Sequence, residues 1–557
     1  VPPHHKWTWQ LGQEYVRFNA TSHRSPASQD AFLVGVAQLY NFLYPIAQQT
    51  FLQVLEEEPD TFPMAWWGVA MTCWQPLWMS EQHTGACERA EVALSEISSG
   101  VRGAQRWERD YAAGLLAYMQ NHTTASRSQR LQRHMRSMLL LVQRRPSDLE
   151  ASILLALALL AHISPGEWGF ESRGSSVIAA SKRSAFELCR ATLSKALQVA
   201  PRHPHALHLV THLLDSPRHA ALGLEWAETY SQVASNGYHA LHMPSHLYLR
   251  LGNWSQATAH NQRAVQCSER FIQAHQLQNQ TALFLDSHSA QFLHYSFLQQ
   301  GRYREALQLL ERERALGHGY RAAQMGALQL VETADWARLQ MLSPRLTCAS
   351  CNDTANLDDL FLLSNQVNAA SSWARGLAMF NTGNISAARH SLSSLQQQSK
   401  ALYAPMPLFA QFVGVSALQL QAAIQASEPG GMASAIKLAL QAVQQQTELG
   451  AQPYGWPVVL PAEELAARLL LQDSRPAEAV QVLLAAPAVE WGADLGRASY
   501  QLLLAEAHAA TGATSQACRV FESLAEQLAD GDAEGRARSR VLAWLAEHAE
   551  QCSQPLA

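Results

Sequence analysis

Charge is what this sequence has least of. Only 16% of its 557 residues are Asp, Glu, Lys or Arg, and the net charge of −5 comes without a long run of either sign. Binding a phosphate backbone calls for a basic stripe, so no nucleic-acid partner is expected. Long apolar runs are missing as well. The longest, ILLALALLAHI from Ile153, is far shorter than the ~20 residues that cross a bilayer, so no membrane span is expected. No stretch alternates with period two over several strands, which leaves no sheet to build. The sequence also lacks H-E-x-x-H, G-x-S-x-G, a phosphate-binding loop and G-x-G-x-x-G, so the commonest hydrolase and nucleotide sites are not in view.

Asparagine is scarce too, yet six of the 13 stand in N-x-Ser/Thr sequons: Asn19, Asn121, Asn253, Asn279, Asn352 and Asn384. Chance would place about one in seven there, so the bias points to exposure to N-glycosylation and N-linked glycans. The chain starts at Val1, which suggests a precursor whose leader has been removed. Its eight cysteines are an even number with close spacings. Cys73 with Cys87, Cys348 with Cys351, and Cys518 with Cys552 read as local disulfides, leaving Cys189 and Cys267 for a longer link. These features together give a secreted, extracellular glycoprotein as the expectation.

What the chain does have is helix. Ala, Leu and Gln dominate, and apolar residues recur at helical spacing from Ser28 to near the end. Residues 1–27 read as an irregular N-terminal arm, 28–340 as an N-terminal helical array holding most of the histidines, 341–364 as a Cys-containing loop, and 365–557 as further repeats. Trp66, Trp67, Trp74 and Trp78 recur at helical spacing and read as inter-helix core. Several second helices share one opening: GNWSQA at Gly252, GRYREA at Gly301, GNISAA at Gly383, and in weaker form SRPAEA and GATSQA. A small turn residue and then an alanine allow close helix packing of the tetratricopeptide (TPR) type. The predicted fold class is therefore all-α: a right-handed superhelical solenoid of degenerate tetratricopeptide-like helix pairs.

The chemistry is concentrated in one stretch. Twelve of the 23 histidines lie between His203 and His294. His205, His208 and His212 are spaced i, i+3, i+7, which is one stripe of a helix, and His239, His242 and His246 repeat that spacing. Pro244 predicts a helix start within the second group, with His242 just outside as a loop ligand and His246 in the first turn. Imidazoles massed on one face can share a metal ion, and a set rich in histidine and poor in carboxylate suits copper or zinc before iron. Asp215 or Asp286 as a carboxylate partner would keep iron open. His203 and His205 read as capping or surface residues; His219, His260 and His275 read as solvent or packing residues. Tyr238, Tyr248 and Tyr295 read as aromatic core.

The blocks MAWWGVAMTCWQPLW, HPHALHLVTHLLDSP and HALHMPSHLYLRLG resemble a bacterial-type family of tetratricopeptide-repeat-like proteins carrying H-x-x-x-H and H-x-x-H-M-P-x-H motifs, a family with no established activity. The resemblance covers roughly the first 300 residues and implies an α-solenoid and a site. It carries over His208, His212 and Asp215, then His239, His242 and His246, then His288. Gln291 departs from the pattern, standing where that family tends to have Asp. The metal ligands expected are His208, His212, His242, His246 and His288, with Asp215 and His239 behind them; no catalytic residue is assigned. Two readings stay open. One is a metalloprotein with a polyhistidine transition-metal site doing oxidoreductase or hydrolase chemistry; the other is a non-enzymatic extracellular scaffold or filament subunit that self-associates or binds protein partners through its solenoid.

Overall fold

The computed structural model describes residues 10–18, 26–59, 61–78, 80–81, 83–163, 177–274, 280–316, 319–338, 357–403, 407–449, 460–485 and 496–553. Among them 25 α-helices follow one another. The first eight are α1 (Pro26–Tyr40), α2 (Tyr44–Glu57), α3 (Pro63–Cys73), α4 (Gly85–Ser99), α5 (Arg106–Met119), α6 (Arg127–Arg144), α7 (Leu149–Ile163) and α8 (Val177–Val199). The histidine-bearing stretch folds as α9 (Pro204–Leu213), α10 (Ala220–Val233), α11 (Tyr238–Arg250), α12 (Trp254–Ala274) and α13 (Gln280–Gln299). Beyond it come α14 (Tyr303–Ala315), α15 (Gly319–Thr333), α16 (Leu357–Asn381), α17 (Ile385–Leu402), α18 (Pro407–Ala426), α19 (Met432–Leu449), α20 (Ala462–Gln472) and α21 (Pro476–Ala485). The chain closes with α22 (Ala498–Ala510), α23 (Thr514–Gln527), α24 (Arg536–Glu547) and the short α25 (Ala549–Cys552).

Each helix packs on the next, and the first helices of neighbouring pairs also touch, α9 on α11 and α11 on α13. The product is an all-α, right-handed superhelical solenoid of degenerate tetratricopeptide-like pairs. Among the described residues a two-residue antiparallel ladder, Trp74–Gln75 against Ser80–Glu81, adds to the expected all-helical fold. No helix of the described residues is long and apolar enough to cross a membrane.

The shared openings in the sequence have a common geometric cause. Gly252, Gly301, Gly383, Ser474 and Gly512 all adopt positive φ, between 56° and 82°. In each case the next residue donates its N–H back five residues, as Asn253 does to Tyr248 (2.9 Å), Arg302 to Phe297 (2.9 Å) and Asn384 to Met379 (2.8 Å). This left-handed closure satisfies the last carbonyls of the first helix and turns the chain straight into the second. Glycine is favoured there because a Cβ costs energy at positive φ. Ser474 accepts that cost.

The apolar core of the described residues is divided into clusters. One cluster runs from Val16 through Tyr40, Phe51, Trp67 and Leu157 to Met243, and a second runs from Leu249 through Phe292 and Trp373 to Ile424. Helix α11 therefore spans the seam, contributing Ala240 and Met243 to the first cluster and Leu249 to the second. Leu11, Val16 and Phe18 of the expected arm are buried.

Cys73–Cys87 and Cys518–Cys552 are disulfides. Cys189 and Cys267 are not joined: both are free, buried thiols, donating to the carbonyls of Ala156 and Asn236. Their helices, α8 and α12, hold them in separate parts of the core, which spacing along the chain could not reveal. Cys348 and Cys351 lie outside the described residues, as do Asn19, Asn279 and Asn352. Asn121, Asn253 and Asn384 are exposed.

Candidate metal centre

Helix α9 is entered through His203, whose Nδ1 accepts from the Ala206 N–H (3.3 Å) and whose Nε2 pairs with the buried Glu150 carboxylate (2.9 Å). His203 is thus a cap, but an interior one rather than a surface residue. His205 lies flat on the Tyr40 ring, centroids 4.1 Å apart and planes 2° from parallel. Two turns of α9 then present His208 and His212, spaced i, i+4, to the same side.

Helix α11 departs from expectation. It starts at Tyr238 and runs through Pro244 to Arg250. A proline at the seventh position removes one backbone bond and costs about 3 kcal/mol in a free helix. Here α11 is packed by α9, α10, α12 and α13, and nearly all its residues are buried, so tertiary contact overrides the local signal. In consequence His239 sits in the first turn, and His242 and His246 form an i, i+4 pair within the helix. His288 is the ninth residue of α13, well inside the helix, and is partly buried.

Five of the rings turn their Nε2 atoms toward a neighbouring ring, and His288 joins the second group through one ring nitrogen. His208 Nε2 lies 2.9 Å from His239 Nε2 and 3.0 Å from His212 Nε2. His242 Nε2 lies 2.9 Å from His246 Nε2. Two groups result, His208–His212–His239 and His242–His246–His288, and within each group the candidate ligand nitrogens lie within 4.8 Å of one another. His239, expected behind the ligands, therefore stands among them. It does so because α11 begins early enough to aim its first turn at α9.

On the outer side, the tautomers are fixed by their partners. His208 Nδ1 donates to the Tyr40 carbonyl (2.7 Å). His242 Nδ1 donates to Asn261 Oδ1 (2.6 Å), whose own amide nitrogen is committed to the Ala257 carbonyl (2.8 Å). His246 Nδ1 donates to Asp215 Oδ2 (2.9 Å), and the other Asp215 oxygen accepts from Arg250 Nε (2.9 Å). Burial opposes ionisation of Asp215, but Arg250 and His246 outweigh it and hold the carboxyl far below its usual range. With the proton on Nδ1, Nε2 of His208, His242 and His246 carries a bare lone pair.

Between His242 and His246 two such lone pairs face each other at 2.9 Å and repel unless an added proton or a cation lies between them, whereas His208 can accept from a neutral Nε2–H of His212 or His239. Burial, reinforced by the neighbouring imidazoles, holds His208, His212, His239, His242 and His288 well below the ordinary imidazole value, which disfavours the proton. A cation fits. Nitrogens bonded at about 2.0–2.1 Å to a tetrahedral ion stand roughly 3.3 Å apart, slightly wider than the three contacts at 2.9–3.0 Å and inside the 4.8 Å that bounds each group. The outward Nδ1–H bonds to carbonyl, amide and carboxylate are the arrangement by which metal-binding histidines are oriented.

Two residues with no signal in the sequence complete the site. Phe42 packs on the first group, its centroid 4.3 Å from His208, 5.9 Å from His212 and 5.1 Å from His239. Phe292 packs on the second, 4.8, 4.7 and 4.9 Å from His242, His246 and His288. Phe42 reaches its place with φ of +59°, a conformation that costs a bulky residue about 1–3 kcal/mol. Tyr40, Tyr230 (stacked on His208 at 5.0 Å), Asn261 and Arg250 were likewise not legible.

The remaining candidates have other partners. Gln291 hydrogen-bonds Gln324 and Arg321, and His294 bonds Gln329 (3.0 Å). His260 pairs with Glu228 (3.0 Å) and His219 with Ser216 (3.0 Å). Tyr248 donates to Glu228 (2.8 Å), Tyr238 packs near Phe271 and Tyr295 near Trp254. Both Asp215 oxygens are engaged, so that carboxylate stands behind His246. His275 and the side chain of Asp286 lie outside the described residues.

No family model matches the sequence, and no curated protein matches it. Solved structures match at 11–12% identity. Yeast Tom70 covers 90% of this chain and 92% of its own at a TM-score of 0.32. A human IFIT1 dimer with m7Gppp-AAAA covers 93% and 92% at 0.36, with 11% identity. The TPR domain of P58(IPK) covers 73% and 100% at 0.21, with 12% identity. The chain is similar to these helical-repeat proteins in fold class, and the likeness says nothing about the histidine centre.

Proposed function

We propose that this chain is a secreted, N-glycosylated TPR-like metalloprotein whose polyhistidine centre holds a transition metal, copper or zinc, for metal-dependent oxidoreductase or hydrolase chemistry. The observation that carries the reading is the set of Nε2 atoms gathered at 2.9–3.0 Å while the Nδ1–H groups of His208, His242 and His246 are tied to outward acceptors. Six imidazoles supply neutral, borderline-soft donors, which suits copper and zinc better than calcium or magnesium. Three protein ligands on an ion leave a position open for water or a small substrate. Iron is the weaker choice, because Asp215 is already committed to His246 and Arg250. The bacterial-type motif family belongs to this reading too, since its H-x-x-x-H and H-x-x-H-M-P-x-H histidines are the ones gathered here.

Elemental analysis of protein purified from its native source tests the reading. At least one equivalent of copper or zinc per chain is expected, together with a mass loss on deglycosylation. Less than about a tenth of an equivalent of any transition metal, with none taken up on adding either ion, would sink it. The second reading, a non-enzymatic scaffold, draws on a cleft of about 830 Å³ among the C-terminal repeats, lined by Tyr303, Trp336, Phe380 and Arg468 and apart from the histidines. Loss of assembly without loss of any turnover in a His208→Ala/His246→Ala protein would favour it.

A further inference from the structure

We infer that the centre is dinuclear: two copper(I) ions, one on each three-histidine group, with dioxygen as the ligand that bridges them. This rests on the metalloprotein reading above. It goes further by fixing the number of ions, their oxidation state and the class of small molecule bound.

The number follows from the geometry. Six nitrogens on a single octahedral ion, with bonds near 2.1 Å, would all lie within about 4.2 Å of one another. Instead they divide into two sets of three. The sets are also built alike. In each, one helix supplies an i, i+4 pair and the first helix of the following pair supplies the third ring: α9 with α11, then α11 with α13. Each has its own phenylalanine against all three rings, Phe42 from one core cluster and Phe292 from the other. The same local device is repeated one step along the solenoid. The sets are neighbours, with 5.9 Å between the ring centroids of His212 and His246 and 6.0 Å between those of His239 and His242. That places two ions close enough to share one small ligand.

The oxidation state follows from charge. All six donors are neutral. The carboxylate nearest them, Asp215, is balanced by Arg250. Repulsion between two divalent ions is about four times that between two monovalent ions at the same spacing, and a buried site with no net negative charge does little to offset it. Imidazole suits copper as well as zinc, and of the two only copper offers the monovalent ion that the charge of the site favours.

Dioxygen supplies the anion that the site lacks. Each copper(I) gives one electron, the O–O double bond becomes a single bond, and the resulting dianion bridges two copper(II) ions. Two electrons leave the metal pair and two arrive on oxygen, with no proton taken up. Release of dioxygen reverses the step.

The test uses the purified full-length chain, freed of metal and titrated anaerobically with copper(I), then exposed to air. Two equivalents of copper are expected. Oxygen should then produce an intense near-ultraviolet absorption with no paramagnetic copper signal, because the two copper(II) spins couple through the bridge. His239→Asn and His288→Asn should each keep about one equivalent, lose that absorption and show a paramagnetic signal on oxidation. Circular dichroism reports whether they fold, and His212→Asn provides a third variant that removes the same coupling. Saturation at one equivalent, or two equivalents whose oxidised form stays fully paramagnetic, would overturn the dinuclear assignment while leaving a metalloprotein. Two zinc ions bound with no copper(I) uptake would overturn the copper assignment. No uptake of any metal would remove the underlying reading itself.

Discussion

Single residues in this protein earn their positions through what they exclude. Phe42 and Phe292 seal apolar walls against imidazoles whose inward nitrogens would otherwise be solvated, and a dry wall strengthens every donor–cation interaction inside it. His134 shows the same physics away from the metal. It is buried against Trp74, its Nδ1 donates to the Gly114 carbonyl, and burial lowers it to about 4. Because the folded value lies below the unfolded one of about 6.5, the unfolded chain takes up the proton first. The contribution to stability is complete above pH 6.5 and is lost as pH falls towards 4, amounting to about 3 kcal/mol at the lower end. Melting curves of the metal-free protein between pH 7 and 4.5 should show this decline, and a His134→Leu variant should show a shallower one. Equal slopes in the two proteins would contradict the assignment.

At the scale of elements, the pairs are closed by left-handed residues, and four of the five recurrent closures use glycine. Ser474 is the exception at φ of +56°, although its closure is otherwise the same, with Arg475 donating to the Leu470 carbonyl at 2.8 Å. An L-residue pays roughly 1–2 kcal/mol there, part of which glycine returns through the entropy of the unfolded chain. Ser474→Gly should therefore raise the stability of the α20–α21 region by about 0.5–1 kcal/mol, read by amide exchange in those helices. Destabilisation would show that the serine hydroxyl matters more than its backbone. Helix α11 teaches the opposite lesson. Its proline says stop, and the neighbours on every side say continue.

The whole molecule is held by contacts that join distant parts of the chain. The stretch around Gly496 comes back onto the middle of the solenoid, where Trp254 donates to the Gly496 carbonyl (3.0 Å) and Ala498 donates to Gln299 (3.0 Å). Arg497 is the centre of this closure. It pairs with Glu332 and lies 3.5 Å from Glu464, all three side chains being almost fully buried. Burial, with Glu464 adding to it and Arg497 opposing, raises the Glu332 carboxyl. Removing the guanidinium leaves Glu332 without its ion-pair partner and Glu464 with only Arg468, at 3.7 Å, and breaking such a buried pair costs about 3–5 kcal/mol. Arg497→Met should lower the melting temperature and increase protease cutting after residue 495, with copper or zinc binding unchanged. A melting temperature unaltered by the substitution would mean that the closure is held by its backbone contacts alone.

Much of this was legible in the amino-acid sequence, because it depends on local physics. Helical periodicity marked the chain as helix from Ser28 to near its end, and the small-residue openings at Gly252, Gly301, Gly383, Ser474 and Gly512 marked the left-handed closures. Two disulfides between near neighbours are the ones that close spacing suggested. The histidine stripe on α9 was visible for the same reason, since i and i+4 meet on any helix. What only the tertiary structure decided was how the stripe on α11 is divided. His239 and His246 are seven residues apart, about 10.5 Å along the helix axis, which is too far for one ion to span. The stripe is therefore split, with His239 given to α9 and His242 and His246 to α13. Phe42, Asn261 and the Tyr40 carbonyl join from other parts of the chain, and the separation of Cys189 from Cys267 is equally non-local. Sequence spacing fixes positions along one helix; which neighbour faces each turn is set by packing between helices.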